Sequence, residues 1–274
     1  MSTNNFNNQT EITELYIATS VRKATMRFTQ TFLLAILAGA FIALGAAASS
    51  VAIHTMDNVG LARLIAGCVF PTGLILIMVV GGELFTGNCL MVEALWARQI
   101  SARAWLRNLI IVFFGNFVGS VLVVVLVVLS TQFNYSADTL GAFTIKVALS
   151  KSQLPLEAAF ASGILCNILV CLAVLGAFAA RDIVGKVVAI FFPIMAFVLS
   201  GFEHCIANMY YLVAGLAAAA NPHYAARAQE LYAIQTADLS WLGIVHNLVP
   251  VTLGNLVGGV ALGLAFYALY RLRP

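Results

Sequence analysis

Six apolar blocks, each long enough to cross a lipid bilayer, dominate this sequence. About 20 helical residues span the roughly 30 Å hydrocarbon core of a membrane. The 274-residue chain is 62% hydrophobic and only 9% charged, a composition outside the range of soluble domains. We therefore predict an all-α polytopic membrane protein with six transmembrane helices. The blocks cover 28–53, 64–97, 105–133, 156–180, 187–221 and 242–270.

The charges between these blocks predict an orientation. Six spans place both termini on one side, and placing that side in the cytoplasm leaves ten Lys/Arg there and four on the other side. This agrees with the positive-inside rule. We predict a cytoplasmic segment over 1–27 and one transmembrane domain over 28–271, in a bacterial inner membrane. The ten are Arg22, Lys23, Arg27, Arg98, Arg103, Arg107, Arg181, Lys186, Arg271 and Arg273; the four are Arg63, Lys146, Lys151 and Arg227.

The second and fifth blocks are too long for simple spans. They contain 34 and 35 residues, and 34 residues of straight helix would reach about 51 Å. Polar residues interrupt each block, at 81–88 and at 200–204. Irregular backbone at membrane depth is tolerated only where protein or a water-lined cavity covers it. Both blocks are therefore predicted to be broken helices.

The two halves of the chain repeat each other. Residues 108–119 and 247–258 share seven identities without a gap, and Glu83 to Asn88 has the spacing of Glu203 to Asn208. Each half holds three spans, about 28–133 and 155–271, so the halves enter the membrane from opposite sides. We expect an inverted repeat of three plus three spans, with the substrate site where the broken helices meet. The GxxxG elements at 115–119 and 254–258 suit packing within a protomer or between protomers.

His204 and Thr86 are the polar side chains of greatest interest. A histidine is rare in an apolar span and titrates near neutral pH. As an imidazolium it would attract an anion and donate a proton, so that a neutral acid crosses the dry part of the path. As a neutral ring it would hydrogen-bond a neighbouring helix. Its place beside one break and opposite another favours the transport role, and Thr86 offers a hydroxyl in the other break.

The acidic and amide side chains near the breaks point to a structural role. Free carboxylates at Glu83 and Glu203 would repel an anion, so we expect them to accept hydrogen bonds from the N–H groups that begin the second half-helices. Asn88 and Asn208 are expected to join the breaks to neighbouring helices. Asn167 either does the same or faces the path.

Bulky and cationic residues around the breaks have two interpretations each. The bulky ones are ordinary core or lipid-facing residues, or hydrophobic constrictions that exclude hydrated ions. Lys151 raises the anion concentration at an entrance, or anchors the chain at the interface. The bulky residues are Phe70, Leu74, Phe85, Val170 and Phe197.

Nothing in the sequence indicates catalysis. The five cysteines lie in apolar stretches without metal-ligand spacing, and the four histidines form no HExxH or nucleophile–base pattern. We expect no metal, no cofactor and no enzyme activity. The net charge of +3 gives no reason to expect a nucleic acid partner.

The motifs at the breaks resemble the formate/nitrite transporter family. Residues 82–88 read GELFTGN and residues 201–209 read GFEHCIANM; the segments 163–167, 170–173 and 247–255 are also similar. The resemblance covers about 28–270 and implies an aquaporin-like protomer of six helices, assembled as a homopentamer with one pore per protomer. It implies transport of formate, nitrite or hydrosulfide, sometimes with a proton.

The resemblance also implies a role for each matching residue. His204 matches the central histidine and Thr86 the threonine of the loop in the second helix. Cys205 departs from the serine of many relatives, and the Thr-Gly-Asn loop differs from some formate channels, which leaves the preferred anion open. The implied outer constriction is Phe70, Val170 and Phe197, the inner one is Leu74 and Phe85, and Lys151 and Asn167 match a vestibule lysine and a pore asparagine.

An aquaporin-like channel for a neutral solute is the alternative. An inverted repeat with broken helices is compatible with it. The sequence lacks a pair of Asn-Pro-Ala-like caps, because its only Asn-Pro stands at 221–222, at the end of a block.

Overall fold

The computed structural model describes residues 5–271, and these form thirteen α-helices with only an isolated bridge between Phe6 and Ala180 as extended pairing. Arg273 and residues 1–4 of the predicted N-terminal segment lie outside this range. The helices are α1 Gln9–Thr25, α2 Phe28–Ile53, α3 Val59–Val69, α4 Thr72–Val80, α5 Phe85–Asn88, α6 Val92–Trp96, α7 Ala102–Leu129, α8 Thr139–Ser152, α9 Leu156–Ala179, α10 Ile183–Ser200, α11 Cys205–Ala219, α12 Pro222–Tyr232 and α13 Trp241–Tyr270.

The predicted six spans are confirmed. Within 5–271, six helical units are long and apolar enough to cross a membrane: α2, α3 with α4, α7, α9, α10 and α13. The second unit begins at Val59, five residues before the predicted apolar block. The side chain of Asn58 accepts the Leu61 N–H at 3.0 Å and so starts the helix further out. Arg63 therefore lies in the second turn of α3 instead of flanking a span.

The breaks in the second and fifth spans are confirmed as well. Helix α4 ends at Gly81 with φ 115°, and α10 ends at Gly201 with φ 73°. Both angles lie in the region where a Cβ causes strain, so glycine is favoured at these two positions. The chain resumes its helix at Phe85 in the first half and at Cys205 in the second.

Pairing of α2 with α7, and of α9 with α13, forms the frame of each half. A Cβ built on Gly119 would collide with the carbonyl oxygen of Ile36, and one built on Gly258 would collide with that of Ile164. The two GxxxG elements therefore serve close packing inside the protomer. Ile36 and Ile164 occupy the same position in α2 and α9, so the contact is repeated in both halves.

Both ends of the described chain lie on one face, called here the terminal face. The α1 helix meets the end of α13 through the hydroxyl of Thr10, which donates to the carbonyl of Tyr270 at 3.4 Å, and through the Arg271–Glu14 ion pair. The opposite, far face carries α8 and α12. These two helices and α1 are additions to the predicted spans. Asn8 and Glu11 form a capping box that starts α1.

Candidate functional site

Two cavities enter the protein from opposite faces. The terminal vestibule has a volume of about 830 Å³ and is lined in part by α1 and by the first break. The far vestibule has a volume of about 370 Å³ and reaches His204. The two cavities share no lining residue. A closed layer of protein therefore separates them.

The structure brings the two central polar residues together in that layer. The Oγ1 atom of Thr86 lies 2.9 Å from Nε2 of His204, and both side chains are buried. The N–H of Ala207 donates to Nδ1 of the ring at 3.1 Å. Because Nδ1 accepts, the hydrogen of the neutral ring is on Nε2 and points to Thr86. This arrangement suits a neutral histidine, since protonating Nδ1 would displace the Ala207 N–H.

Asn167 holds the threonine loop instead of lining a vestibule. Its Nδ2 donates to the carbonyl of Thr86 at 3.2 Å and to the carbonyl of Asn255 at 2.5 Å. Its side chain is fully buried and belongs to neither cavity lining. Of the two roles that the sequence left open, the contacts correspond to joining elements together.

Two of the predicted constriction residues meet on the far side of the centre. The rings of Phe70 and Phe197 are 5.5 Å apart in an edge-to-face arrangement, and Phe197 lies 5.9 Å from the ring of His204. Phe70 and Phe197 both line the far vestibule. Val170 is buried and lines neither cavity.

The two residues of the predicted inner constriction lie in different surroundings. Leu74 lines the terminal vestibule, but Phe85 is buried against Phe113 at 5.4 Å and lines neither cavity. Leu84 lines the terminal vestibule instead. Sequence reasoning missed Leu84, although its place directly after Glu83 matches that of His204 after Glu203.

The first break holds a network of amide, carboxylate and ammonium groups. Asn88 Nδ2 donates to Glu83 Oε2 at 2.7 Å and to Asn108 Oδ1 at 2.8 Å. Lys23 Nζ donates to Asn88 Oδ1 at 2.7 Å and lies 3.3 Å from Glu83 Oε1. The buried carboxylate of Glu83 is therefore paired with a cation.

The second break repeats this network. Asn208 Nδ2 donates to Glu203 Oε2 at 2.6 Å and to Asn247 Oδ1 at 2.8 Å. Lys151 Nζ donates to Glu203 Oε1 at 2.7 Å. The predicted repulsion by free carboxylates is thus removed at both breaks by an ion pair with lysine.

The backbone N–H groups at the breaks are satisfied differently from the prediction. Glu83 and Glu203 bond to asparagine and lysine side chains, so their expected bonds to the backbone N–H groups of the second half-helices are not formed among residues 5–271. Asn116 Oδ1 accepts the N–H of Phe85 at 3.0 Å, and Asn255 Oδ1 accepts that of Cys205 at 2.9 Å. An amide from a neighbouring helix suits this task because it also has two donors to offer.

Those donors hold the extended backbone on the other side of each asparagine. Asn116 Nδ2 donates to the carbonyls of Ala35 and Glu83 at 2.7 and 2.9 Å. Asn255 Nδ2 donates to the carbonyls of Gly163 and Glu203 at 2.8 and 2.9 Å. The second asparagine of each repeated motif therefore clamps a break to two helices.

Lys23 is the residue that sequence reasoning overlooked most clearly. It stands five positions before the start of α2, as Lys151 stands five before the start of α9. The carbonyls of the two lysines accept hydrogen bonds from Asn108 and Asn247. The equal spacing was a usable signal, but it falls outside the apolar blocks in which the repeat was sought.

Each vestibule is cationic. Such lining raises the local concentration of anions and speeds their entry. The terminal vestibule is lined by Arg22, Lys23 and Arg27 with Glu83, and the far vestibule by Arg63, Lys146 and Lys151 without a lining carboxylate.

Comparison with known proteins agrees with this geometry. The family model described as formate/nitrite transporter matches residues 10–269. The formate channel BtFdhC of Bacillus thuringiensis is 32% identical over 97% of this chain and 96% of its own length. The formate channel FocA of Haemophilus influenzae is 35% identical over 91% of this chain and 89% of its own.

Solved structures show the same architecture. A pentameric formate channel with formate bound aligns with a TM-score of 0.79 and 34% identity, covering 90% of this chain and 98% of that one. The aquaglyceroporin from Plasmodium falciparum aligns with a TM-score of 0.52 at 13% identity, over 90% of this chain and all of that one, which shows a shared fold alone. The predicted aquaporin-like inverted repeat is confirmed. The prediction that the chain is a transporter and not an enzyme is confirmed by the family match. The chain belongs to the formate/nitrite transporter family.

Proposed function

We propose that this protein passes small monovalent anions of weak acids, formate foremost, with nitrite or hydrosulfide as the next candidates. The observation that carries the proposal is the Thr86–His204 pair, buried between two cationic vestibules. A polar pair in an otherwise apolar closed layer offers a partner to an anion that has lost its water. The formate channels among the relatives support formate as the substrate.

The hydrogen-bond directions suggest how the anion is received. Nε2–H of His204 donates to Oγ1 of Thr86, which leaves the threonine O–H free to donate to an arriving anion. Rotation of the threonine exposes the Nε2–H as a second donor. Hydrogen bonds to a charged acceptor are about twice as strong as neutral ones, and they offset part of the lost hydration.

A proton-coupled step needs one more event. The neutral ring has a single N–H, so it can protonate formate only after it has taken up a proton at Nδ1. That atom is occupied by the Ala207 N–H. We infer that His204 acts as a hydrogen-bond donor when neutral, and hands over a proton only when α11 releases Nδ1.

The surrounding residues receive proposed roles from their contacts. Glu83, Glu203, Asn88 and Asn208 hold the breaks, and Asn167 positions the Thr86 loop. Lys151 draws anions into the far vestibule. The proposed outer constriction is Phe70, Val170 and Phe197. The proposed inner constriction is Leu74 together with Phe85, which is buried and does not line the vestibule.

Assembly and orientation belong to the same proposal. We infer a homopentamer, because the solved formate channel that aligns with this chain is pentameric. The terminal face is proposed to be cytoplasmic, in a bacterial inner membrane, because Lys and Arg are concentrated on it. Residues 1–27 would then form a cytoplasmic segment ahead of one transmembrane domain over 28–271.

Transport by purified protein in liposomes tests the function. Proteoliposomes are transferred into hyperosmotic sodium formate or hyperosmotic sorbitol. Light scattering follows the vesicle volume, and formate uptake is measured separately, both at two pH values. We expect formate entry with exclusion of sorbitol, and loss of that entry in Thr86→Val with oligomer size unchanged. Rapid permeation by water or glycerol without formate entry would instead establish the neutral-solute alternative.

A further inference from the structure

Arg63 differs from the other two cations of the far vestibule. Lys151 is bound to Glu203 at 2.7 Å, and Nζ of Lys146 lies 4.4 Å above the ring of Tyr232. Within residues 5–271 the guanidinium of Arg63 has neither a hydrogen bond nor an ion pair. Its side chain is exposed and lines the vestibule. Its N–H donors therefore remain available to a solute.

The position of Arg63 lies on the path to the centre. One face of α3 lines the vestibule from Val59 through Arg63 to Phe70. Seven residues of helix separate Arg63 from the Phe70 constriction, a rise of about 10 Å. An anion at Arg63 would thus still be hydrated on one side, before it reaches the aromatic constriction.

The guanidinium of Arg63 lies against the second break. Its atoms lie 3.4–3.6 Å from the point where a Cβ on Gly201 would stand. Gly201 ends α10, and the carbonyl end of a helix attracts a cation. His204 lies at the other end of the same four-residue break. The absence of a side chain at Gly201 also leaves the fork of Arg63 uncovered.

We propose that Arg63 is a docking residue for planar anions with two oxygens, the class of formate and nitrite, and that it sets their preference over hydrosulfide for entry from the far face. This inference rests on the proposed function. A guanidinium presents two parallel N–H groups that match two oxygens on one atom. A one-atom acceptor such as the sulfur of hydrosulfide can take only one of them at full strength.

The test compares Arg63→Lys with wild type in liposomes that hold the protein in one orientation. Lysine keeps the charge but loses the fork. For entry from the far face we expect the half-saturating formate concentration to rise about five-fold, while that for hydrosulfide changes by no more than about two-fold. Entry from the terminal face should stay as in wild type. Lys146→Gln is the matched control, since it removes a vestibule cation without a fork and should affect both anions alike.

An equal rise for both anions, or no rise at all, would overturn the docking role and leave the transport proposal standing. A wild-type protein that moves neither anion would refute the proposed function itself. If Arg63→Lys fails to assemble, phenylglyoxal labelling of Arg63 in an Arg227→Lys background decides. Protection by formate but not by hydrosulfide supports the site, and equal labelling with either anion contradicts it.

Discussion

The two breaks share a frame but differ at the point where they meet. Each carries a glutamate bound to an asparagine five residues later and to a lysine from a preceding helix. The residue after the glutamate is Leu84 in one half and His204 in the other, and the third residue after it is Thr86 or Ile206. The two halves thus share one hydrogen-bonding frame, and the site lies where the first half contributes a hydroxyl and the second an imidazole.

The lysines show a second, smaller difference. Lys23 donates to the amide oxygen of Asn88 at 2.7 Å. The equivalent oxygen of Asn208 is buried and has no partner among residues 5–271, because the ammonium group of Lys151 donates to Glu203 instead. The lysine of the first break thus binds both the glutamate and the asparagine. The lysine of the second break binds the glutamate, which also accepts a longer bond of 3.5 Å from Nδ2 of Asn247.

The similarity of the two breaks is tested most strongly at Asn116 and Asn255, the asparagines that clamp them. Asn116→Ala and Asn255→Ala each leave a buried N–H and two carbonyls without their partner, so we expect each to cost about 3 kcal/mol of stability. Unfolding in mixed detergent, followed by tryptophan fluorescence and oligomer size, measures the loss. Asn221→Ala is the control, because that side chain caps α12 at the exposed far face and should cost about 1 kcal/mol.

Unequal losses at the two asparagines would break the comparison. A much smaller cost for Asn116→Ala would mean that the first break is held by its lysine network alone. Equal losses would establish that the two asparagines contribute equally to stability, as their matching contacts suggest.

The difference between Leu84 and His204 is tested by giving both halves the same residue. His204→Leu places in the second half the residue that the first half has at position 84. It removes the donor at the closed layer, so formate flux should fall roughly 10- to 100-fold. His204→Asn retains an amide donor but cannot titrate. It should keep more flux than His204→Leu, and its flux should rise less toward acidic pH than that of wild type. Uptake of labelled formate across a pH series measures both.

Ile206→Val serves as the matched control for this change. It alters the symmetry mate of Thr86 by one methylene and leaves the Thr86–His204 contact intact, so flux should remain near wild type. Unchanged flux in His204→Leu at every pH would remove the histidine from the path.

Much of this architecture follows from the sequence because burial in lipid leaves few choices. The apolar blocks, the excess length of two of them and the repeated Asn-Leu…Gly-Asn motif were sufficient for six spans, two breaks and an inverted repeat. The start of α3 at Val59 was not predicted, because the Asn58 cap extends this helix beyond the apolar block. The helices α1, α8 and α12 were missed because their polar residues keep them out of the long apolar blocks.

The residues of the candidate site could be predicted from the sequence, but their hydrogen-bond partners could not. Rarity in an apolar span singled out His204, and a hydroxyl placed in the other break singled out Thr86. Which donor meets Glu83 or Glu203 depends on helices distant in sequence, so the carboxylates were paired with the wrong partners. Phe85 and Leu84 are adjacent and both apolar, and only the direction of each side chain at the break decides which one lines the vestibule.

The lysines provide the smallest and most selective test of the comparison. Lys151→Met should weaken anion entry from the far face, and Lys23→Met should weaken entry from the terminal face, each by about five-fold at low salt and less at high salt. Each substitution also leaves a buried carboxylate without its cation, which adds repulsion. The double variants Lys151→Met/Glu203→Gln and Lys23→Met/Glu83→Gln remove that charge, so they should recover part of the loss. Initial rates from each side of oriented proteoliposomes, at two ionic strengths, measure the effect. Because Lys23 also holds Asn88, its single variant should lose stability that the Lys151 variant keeps; equal stability would mean that the additional bond at the terminal end contributes nothing.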